Sequence, residues 1–456
     1  MNFLDIATLL GHDHATLKRG HQVETFRLLN DDESCTLVSR ATPAQRLARR
    51  ETFFHPGIAA RSRLPQGYHD RAEGHVFAAW PLTENDFNFI HKQMPMPARI
   101  LSVASKTVHS GQTWNISVRP AHWGLSSKQD CFVIVNIDEL RLEPGARVIV
   151  EGNILSFHCQ RLISDGGILE ILPAPFVMDD NGGPFHGPEG RPGRHGDPGT
   201  NGSSIPFINS FLGPVLREDF QPALLHGKPG AHGQPGTDAS HGRGGGMCKT
   251  AEITLLKLEG QLTLFAQAGC GGTGGTGGDG GNGGEGGNGS QGCFTVAAAV
   301  RGGDGGAGGN SGNGGRGGNG GHGGLSSNIY VTLPGQDLPN LHCIALPSPG
   351  GAAGSGGNAG EPGAAGAAGS ITQPRLAGES GGPGIPGVAG MRGRDGRSRP
   401  APWIFINNEP QFKVAQPAQP TVECTNQSRE TQQQQQGEQS WTSISAQQSL
   451  ATPASV

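Results

Sequence analysis

The chain has 456 residues, with 78 glycines, 33 prolines and only 5% aromatic residues. This length allows roughly two or three domains, and the glycine and proline content argues against one large aromatic-rich core. A formal net charge of −4 gives no electrostatic reason to expect nucleic-acid binding. No apolar run approaches the roughly 18 residues of a transmembrane helix, so the sequence predicts none.

Residues 1–92 are predicted to form a small mixed module of helix and loop. The N-terminus lacks the basic region and the cleavage site of a secretory signal, and its pattern is that of a short amphipathic helix. Thr42 and Pro43 suit an N-cap and a first helical residue. We therefore expect synthesis in the cytoplasm without Sec export. Release by lysis or by a dedicated apparatus, and hence an extracellular site of action, is left open.

Residues 93–180 are predicted to be a β-rich module. Turn residues such as those at 143–145 and 165–167 separate short β-branched runs at a spacing of about ten residues. The runs are Arg99–Ala104, Trp114–Val118, Phe132–Ile137, Leu140–Leu142, Ala146–Val150, Ile154–Phe157 and Ile168–Leu172. This rhythm is typical of a β-sandwich or of a β-solenoid, and residues 140–153 favour the solenoid. Similar strand pairs at 252–266 and 328–333 are expected to return to the same layer.

Glycine recurs at every third position in six tracts, within a predicted region of residues 181–400. The tracts are Gly187–Gly202, Gly227–Gly242, Gly271–Gly292, Gly302–Gly324, Gly351–Gly369 and Gly378–Gly396. A period of three is that of the extended helix of polyproline and collagen, and of neither α-helix nor strand. A column of glycines leaves one edge of such a helix bare, so another backbone can approach it.

Three structures compete for these tracts: a flexible linker, a collagen triple helix and an intramolecular bundle of polyglycine-II helices. The strict registration argues against a linker, and the short, proline-poor central tracts argue against collagen. In a bundle, close glycine backbones can bond to one another. The third and fourth tracts read Gly-Gly-X and suit central places, whereas the proline-containing Gly-X-X tracts suit the periphery.

The repeat resembles two families, the glycine-rich adhesins at the tips of phage long tail fibres and the glycine-rich antifreeze proteins of springtails. The resemblance covers residues 187–396 only and is one of repeat pattern, so no functional residue carries over. It implies a bundle of glycine-rich helices. The expected fold class is mainly β and irregular: a β-solenoid or β-sandwich module followed by a bundle of about six polyglycine-II or polyproline-II helices.

If successive tracts alternate in direction, loops 203–226, 293–301 and 370–377 meet at one end, away from the strands. These loops are apolar, which is typical either of a small capping core or of a contact surface. The candidate binding residues are Phe207, Ile208, Phe211, Leu212, Phe220, Phe294 and Val296. The expected partner is a protein or glycan receptor or a partner subunit, with a membrane surface as a further alternative. The oligomeric state is left open.

No catalytic, cofactor or metal motif stands out in the sequence. The many Gly-x-Gly-x-x-Gly matches are by-products of the repeat, because none follows a strand and opens a helix. His12 and His14 are a weak pair of metal ligands on a short segment. Charged residues such as Asp279 and Arg316 interrupt the central tracts and argue against an ice-binding face. We therefore predict no enzyme, no cofactor and no metal.

The sequence favours a non-enzymatic, elongated binding protein, such as an adhesin or a host-directed toxin component. In this hypothesis a rigid glycine-rich bundle presents the apolar loops to a partner. The alternative is a structural or assembly protein of a coat or appendage, and an ice-binding protein is less favoured. Residues 415–456, rich in Gln, Ser and Thr, are predicted to be a disordered tail.

Overall fold

The computed structural model describes residues 2–20, 22–30, 33, 37, 42–45, 47, 95–119, 130–174, 185–211, 213–294 and 299–411. Their backbone is mainly strand and irregular, with few helices and one large mixed sheet, which confirms the predicted class at that level. The predicted tail at 415–456 and most of residues 31–94 lie outside these ranges. None of the helices in these ranges has the length and apolar character needed to traverse a bilayer.

Helices α1 (Phe3–Leu9) and α2 (His14–Lys18) precede the strands. In chain order the strands are β1 (Gln22–Leu29), β2 (Met96–Val108), β3 (Thr113–Asn115), β4 (Phe132–Leu142), β5 (Arg147–Glu151), β6 (Ile154–Leu172), β7 (Phe207–Ser210), β8 (Gly213–Leu216), β9 (Ala251–Leu255), β10 (Leu258–Gln267), β11 (Cys293–Phe294), β12 (Ala299–Val300), β13 (Ile329–Thr332), β14 (Leu341–Leu346), β15 (Ile404–Ile406) and β16 (Glu409–Gln411). Short 3-10 helices span Pro222–Leu225, Gly335–Asn340 and Pro374–Leu376.

Capping side chains start the helices where the sequence predicts them. Before α1, the Asn2 side chain accepts a bond from the Asp5 amide at 2.9 Å, and the Asp5 carboxylate accepts one from the Asn2 amide at 3.0 Å. At Thr42 the hydroxyl accepts from the Gln45 amide at 3.2 Å, and residues 43–45 are helical. These reciprocal bonds satisfy amides that the first helical turn leaves without partners. The predicted helix start at Thr42 and the predicted short N-terminal helix are both confirmed.

Strands from distant parts of the chain pair in parallel to form the first of two runs. The order is β2, β4, β6, β9, β13 and β15, with β1 and β16 antiparallel at the two ends. One row of facing residues crosses this run in register: Leu101, Val135, Phe157, Ile253, Val331 and Ile406. All of these side chains are buried, so the pairing register is fixed by apolar burial on one face.

A second parallel run contains β3, β5, the end of β6, β10 and β14. Val148, Leu169 and Leu264 face one another across it and are buried with the apolar row of the first run. The two runs therefore share one hydrophobic core. Helix α1 covers the other face of the first run, where Ile6 packs with Ile100 and Ile134. The strand order is that of one large mixed sheet, and neither the predicted solenoid nor the predicted sandwich is identified from it.

The predicted strand boundaries differ from the structure at β6. Two strands, Ile154–Phe157 and Ile168–Leu172, are expected, but one strand runs through both. Gly166 has a φ of 79°, a backbone conformation that glycine adopts readily. The pairing of β6 with β10 shifts its register at the same place, between Gln261 and Leu262. The chain thus turns from one run to the other without leaving the sheet. The expected return of residues 252–266 and 328–333 to this layer is confirmed by β9, β10 and β13.

Glycine tracts alternate with these strands along the chain. We number the six tracts in chain order from tract 1 (Gly187–Gly202) to tract 6 (Gly378–Gly396). Tracts 1 and 2 lie between β6 and β9, tracts 3 and 4 between β10 and β13, and tracts 5 and 6 between β14 and β15. Each pair therefore leaves the sheet and returns to add the next strand.

The tracts contain no assigned helix or strand; the short strands and 3-10 turns near them lie in the loops that join the tracts. The backbones of different tracts are hydrogen-bonded to one another at every third residue. Consecutive tracts are antiparallel: the amides of Gly275, Gly278 and Gly281 donate to Ser240, Thr237 and Gln234. Tracts two apart are parallel: the amides of Gly187, Gly190 and Gly193 donate to Thr273, Thr276 and Asp279. The N···O distances between tracts are 2.7 to 3.1 Å. The parallel bonds define an odd row, tracts 1, 3 and 5, and an even row, tracts 2, 4 and 6.

The predicted central placing of tracts 3 and 4 agrees with these bonds. Tract 3 is bonded to tracts 1, 2, 4 and 5, and tract 4 to tracts 2, 3, 5 and 6, whereas tracts 1 and 6 lie at the ends of the two rows. The Gly-Gly-X pattern supplies two glycine columns to the central tracts, and both columns donate amides to neighbours. Prolines such as Pro192 and Pro386 lie in the end tracts, where fewer amides are needed.

One residue of each triplet contributes to a column of side chains that we call the outer column: the third residue in tracts 1 to 4, and the residue directly after the glycine in tracts 5 and 6. In tracts 3 to 6 these residues have carbonyls that accept an amide from the tract two before, as Asp304 accepts from Gly227 and Glu379 from Gly305. In tracts 1 to 4 the outer column carries Asn, Asp or His at many positions, and these side chains accept a bond from an amide two tracts further on. Examples are Asn310 accepting from the Ile385 amide at 2.9 Å and His232 accepting from the Asn310 amide at 2.9 Å. The side chains thus satisfy amides that no carbonyl reaches.

Gly278→Ala should destabilise the fold, whereas Gly382→Ala should not. A Cβ on Gly278 would collide with the carbonyl oxygen of Arg191, and a Cβ on Gly382 would meet no atom within 4 Å. Because backbone atoms cannot rotate away, we expect a loss of about 3 kcal/mol for the first variant and a neutral or slightly stabilising effect for the second. Thermal unfolding followed by circular dichroism measures both. Equal melting temperatures for the two variants would contradict the close approach of the tracts.

Replacing His232 and His241 together tests the side-chain bonds of the outer column. Their Nδ1 atoms accept from the Asn310 and Asn319 amides at 2.9 and 2.8 Å. Alanine at both positions should cost about 0.5–1 kcal/mol per lost bond. Asparagine at both positions should preserve stability, since asparagine accepts the same kind of bond elsewhere in the column. Equal stability of the alanine and asparagine variants would argue against these bonds.

Candidate functional site

The three loops predicted to meet at one end do lie together. The Ser203 amide donates to Leu224 at 2.7 Å and the Ser290 amide to Leu225 at 2.9 Å, which joins the first loop to the end of tract 3. The Gly292 amide donates to Ser370 at 3.0 Å and joins the second loop to the third. We call loops 203–226, 293–301 and 370–377 the tip. The twelve-stranded sheet lies at the opposite end of the tracts.

A two-stranded hairpin, β7 and β8, forms the most apolar part of the tip. Phe207 pairs with Leu216 and Ile208 with Val215 across it. Phe207 is 39% exposed, Ile208 55% and Phe211, in the turn, 104%. Leu212 lies outside the described residues, and Phe220 is half-buried. The hairpin therefore presents apolar side chains to solvent and does not pack them inward.

The second loop adds one aromatic side chain to this surface. Phe294 is 51% exposed at the start of the short hairpin formed by β11 and β12, where it pairs with Ala299. The candidate residue Val296 lies outside the described residues. The third loop contributes the 3-10 turn Pro374–Leu376 and little apolar surface. The predicted contact surface is thus concentrated on the first two loops.

A capping core at the tip is the other prediction for these residues. Leu225 alone among the loop's described large apolar residues is buried, and its carbonyl accepts from tract 3. Leu224 and Val215 are exposed, although the seven candidate residues do not include them. Cross-strand pairing of Val215 with Ile208 was the signal that could have identified it, since paired residues share a face of a hairpin. The exposure favours a contact surface over a cap.

Charged side chains lie in the first tip loop and at the tip ends of tracts 2, 4 and 6. Arg301 lies 3.5 Å from Asp304 and 3.3 Å from Glu379, and His226 lies 3.3 Å from Asp304. In the first loop Arg217 pairs with Asp219 at 2.7 Å. Each pair is largely exposed and contributes little to stability. His226, Arg301, Asp304 and Glu379 thus form a polar cluster at the tip ends of tracts 2, 4 and 6.

The two N-terminal histidines have partners within the fold and do not converge. His12 is buried, bonds to Ser102 at 2.7 Å and to Thr25 at 2.9 Å, and burial is the main cause that lowers its pKa. His14 bonds to Thr8 at 2.6 Å and to the Leu4 carbonyl at 2.9 Å. Within the described ranges no group of three or more His, Cys, Asp or Glu side chains is arranged to hold a metal ion. Both imidazoles are therefore engaged in hydrogen bonds within the fold.

Thiol labelling should distinguish the tip from the core. Burial raises the pKa of the Cys159 and Cys248 thiols to about 12, so almost no thiolate is present near neutral pH. Cys293, at the base of the second tip hairpin, is free and half-exposed. We expect a maleimide to modify Cys293 much faster than the two core thiols in the native protein, as measured by peptide mass spectrometry. Cys293→Ser is the control, and fast labelling of Cys159 or Cys248 without denaturant would contradict the described core.

Comparison with known proteins gives no family for this chain: no family model, no curated protein and no solved structure matches it.

Proposed function

We propose that the six tracts form an intramolecular bundle of polyglycine-II helices. The proposal rests on the hydrogen bonds between tracts, which recur every third residue in both directions. Three residues per turn is the period of this helix, and a lone helix of this kind has no internal hydrogen bonds to offset the large entropy cost of ordering glycine. The bonds between neighbouring tracts supply that stabilisation.

We further propose that the paired strands are the rungs of a short β-solenoid from which the bundle extends. The support is the parallel, in-register pairing of strands that the tracts separate in sequence, with both runs burying side chains in one core. Each rung then comprises one strand from each run. In this arrangement the sheet anchors the bundle and fixes the spacing of its rods.

The function that this geometry supports best is that of a non-enzymatic, elongated binding protein, such as an adhesin or a host-directed toxin component. The observation that carries the proposal is the exposed apolar hairpin of the tip, with Phe211 fully exposed. At about 3.1 Å per residue, tract 1 holds this hairpin about 50 Å from the sheet. A stiff spacer with an apolar end suits contact with a surface beyond the reach of the sheet.

The chemistry of the tip suits a protein or glycan receptor. Phe207, Phe211 and Phe294 offer aromatic faces, which bury large apolar areas in protein contacts. Exposed apolar groups of this kind, rimmed by polar residues, mark contact sites on soluble proteins. The polar cluster at the ends of tracts 2, 4 and 6 and the Arg217–Asp219 pair are close to the hairpins along the chain. A membrane surface is the alternative partner for the same side chains.

A structural or assembly protein of a coat or appendage is the second candidate. A column of exposed aliphatic residues on tract 6, far from the tip hairpins, favours it. Ile385, Val388 and Met391 are 67%, 71% and 63% exposed and lie three residues apart. Such a column has no role in presenting the tip, so it indicates a contact along the side of the molecule.

Replacing the tip aromatics tests the binding proposal. Phe211→Asp and Phe294→Asp should each reduce binding of fluorescently labelled full-length protein to intact bacterial and animal cells, and to arrayed glycans, by at least about tenfold, as expected for aromatic anchors. Flow cytometry and array fluorescence provide the measurements. Folding should be retained, because Phe211 makes no buried contact in the monomer.

Leu256→Asp is the matched control, since Leu256 is 44% exposed on the turn between β9 and β10 at the sheet end. It should bind like the wild type. Unchanged binding of both tip variants would contradict the proposal, as would absence of wild-type binding to every surface. Loss of assembly with the tip variants still binding would favour the structural alternative.

A further inference from the structure

The outer column of tract 6 differs from those of tracts 1 to 4. In chain order it reads Glu379, Gly382, Ile385, Val388, Met391, Arg394 and Arg397. All of these residues are exposed. Where the earlier tracts carry Asn, Asp or His acceptors, tract 6 carries three aliphatic side chains in a row.

These aliphatic side chains have no role in bonding the tracts together. In tracts 1 to 4 the outer side chains accept from a tract two further on, as Asn313 accepts from the Val388 amide at 2.8 Å. Among the described residues no tract follows tract 6. Its outer side chains therefore have no backbone amide two tracts further on from which to accept a hydrogen bond. Exposed Ile, Val and Met at three successive positions therefore require a different explanation, and an intermolecular contact provides one.

Charge along this column is ordered from one end to the other. Glu379 lies at the tip end and Arg397 at the sheet end, each three triplets from Val388. Tract 4, beside it in the even row, has Asp304 at the tip end and, at the sheet end, His322, whose Nδ1 accepts from the Arg397 amide. The column of tract 6 is therefore complementary in charge to itself when one copy is reversed, and in tract 4 the Nε2–H of His322 can donate to the carboxylate of Asp304.

We propose that a second copy of this chain packs antiparallel on the even row. Val388 of each copy meets Val388 of the other, and Ile385 packs against the second copy's Met391. Glu379 then faces the second copy's Arg397, and Asp304 faces the second copy's His322. The contact is isologous, with a two-fold axis that runs across the tracts through the level of Val388.

Charge and area both favour this arrangement. A parallel pairing would place Glu379 on Glu379 and Arg397 on Arg397, which like-charge repulsion disfavours. The face spans about 60 Å by 15 Å, roughly 900 Å² per copy, compared with about 800 Å² per partner in an interface of standard size. The contact goes beyond the proposed function, since it leaves the tip hairpins free.

The odd row is unsuited to the same contact. Its outer columns carry Glu189, Asp279, Glu285 and Glu361 without any Lys or Arg. Two such faces would repel each other in either orientation. The choice of the even row therefore follows from charge as well as from the aliphatic column.

Sedimentation velocity of the full-length protein at physiological salt tests the proposal. We expect the wild type to be in a concentration-dependent monomer–dimer equilibrium, and Val388→Asp to raise the dimer dissociation constant at least about tenfold. Leu256→Asp and Phe211→Asp should dimerise like the wild type, which separates this test from that of the tip. A wild type that stays monomeric at its highest soluble concentration overturns the proposal, as does unchanged dimerisation of Val388→Asp.

Charge reversal tests the antiparallel register. Glu379→Arg and Arg397→Glu should each weaken self-association, and an equimolar mixture of the two variants should restore it, because every facing pair is again of opposite sign. Glu379 also lies 3.3 Å from Arg301, but its side chain is 86% exposed, so the monomer should fold without that pair. Circular dichroism checks the fold of each variant. A mixture that associates no better than either single variant overturns the register.

Discussion

Hydrogen bonding of the glycine backbone is the interaction on which the rest of the structure depends. The tracts contain no assigned helix or strand, and the amides of their glycines bond to neighbouring tracts. The amides of one glycine column donate to carbonyls of the preceding tract, and those of a second column donate to carbonyls of the tract two further on. Side chains of the outer column accept hydrogen bonds from many of the remaining amides. Sheet and tracts are coupled, because the strands hold successive tract pairs in register.

Features of the fold that depend on local residues could be predicted from the sequence, whereas those that depend on long-range strand pairing could not. The period of three identified the tracts, and Gly-Gly-X against Gly-X-X separated central from end tracts, because a missing Cβ is visible in the sequence. The caps at Asn2 and Thr42 are local and equally visible. By contrast, β6 runs through Asp165–Gly167, a predicted turn, since Gly166 permits a bend that the sheet pairing on both sides maintains. Long-range pairing of this kind leaves no local signal.

The candidate site was predictable in position more than in detail. Connectivity alone placed the three loops at one end, and the bonds between loops agree. Exposure could not be derived in the same way: Phe220 is half-buried while Phe211 is fully exposed, although both are apolar residues of one loop. The hairpin register decides which side chains face solvent. The side-chain acceptors of the outer column were also missed, although the recurrence of Asn, Asp and His there was a readable signal.

Because strands alternate with tract pairs along the chain, the length of the tracts and the width of the sheet are set by different parts of the sequence. Strand β9 pairs with β13, Ala251 opposite Ile329, and Gly274 of tract 3 donates to Ala352 of tract 5 across the same separation along the chain, so strands and tracts are added together. Adding triplets to the tracts would lengthen the reach without altering the sheet. Inserting one further strand pair with its two tracts would widen the molecule and leave the reach unchanged. Gain or loss of repeats can thus adjust length and breadth independently, using only contacts that the fold already contains.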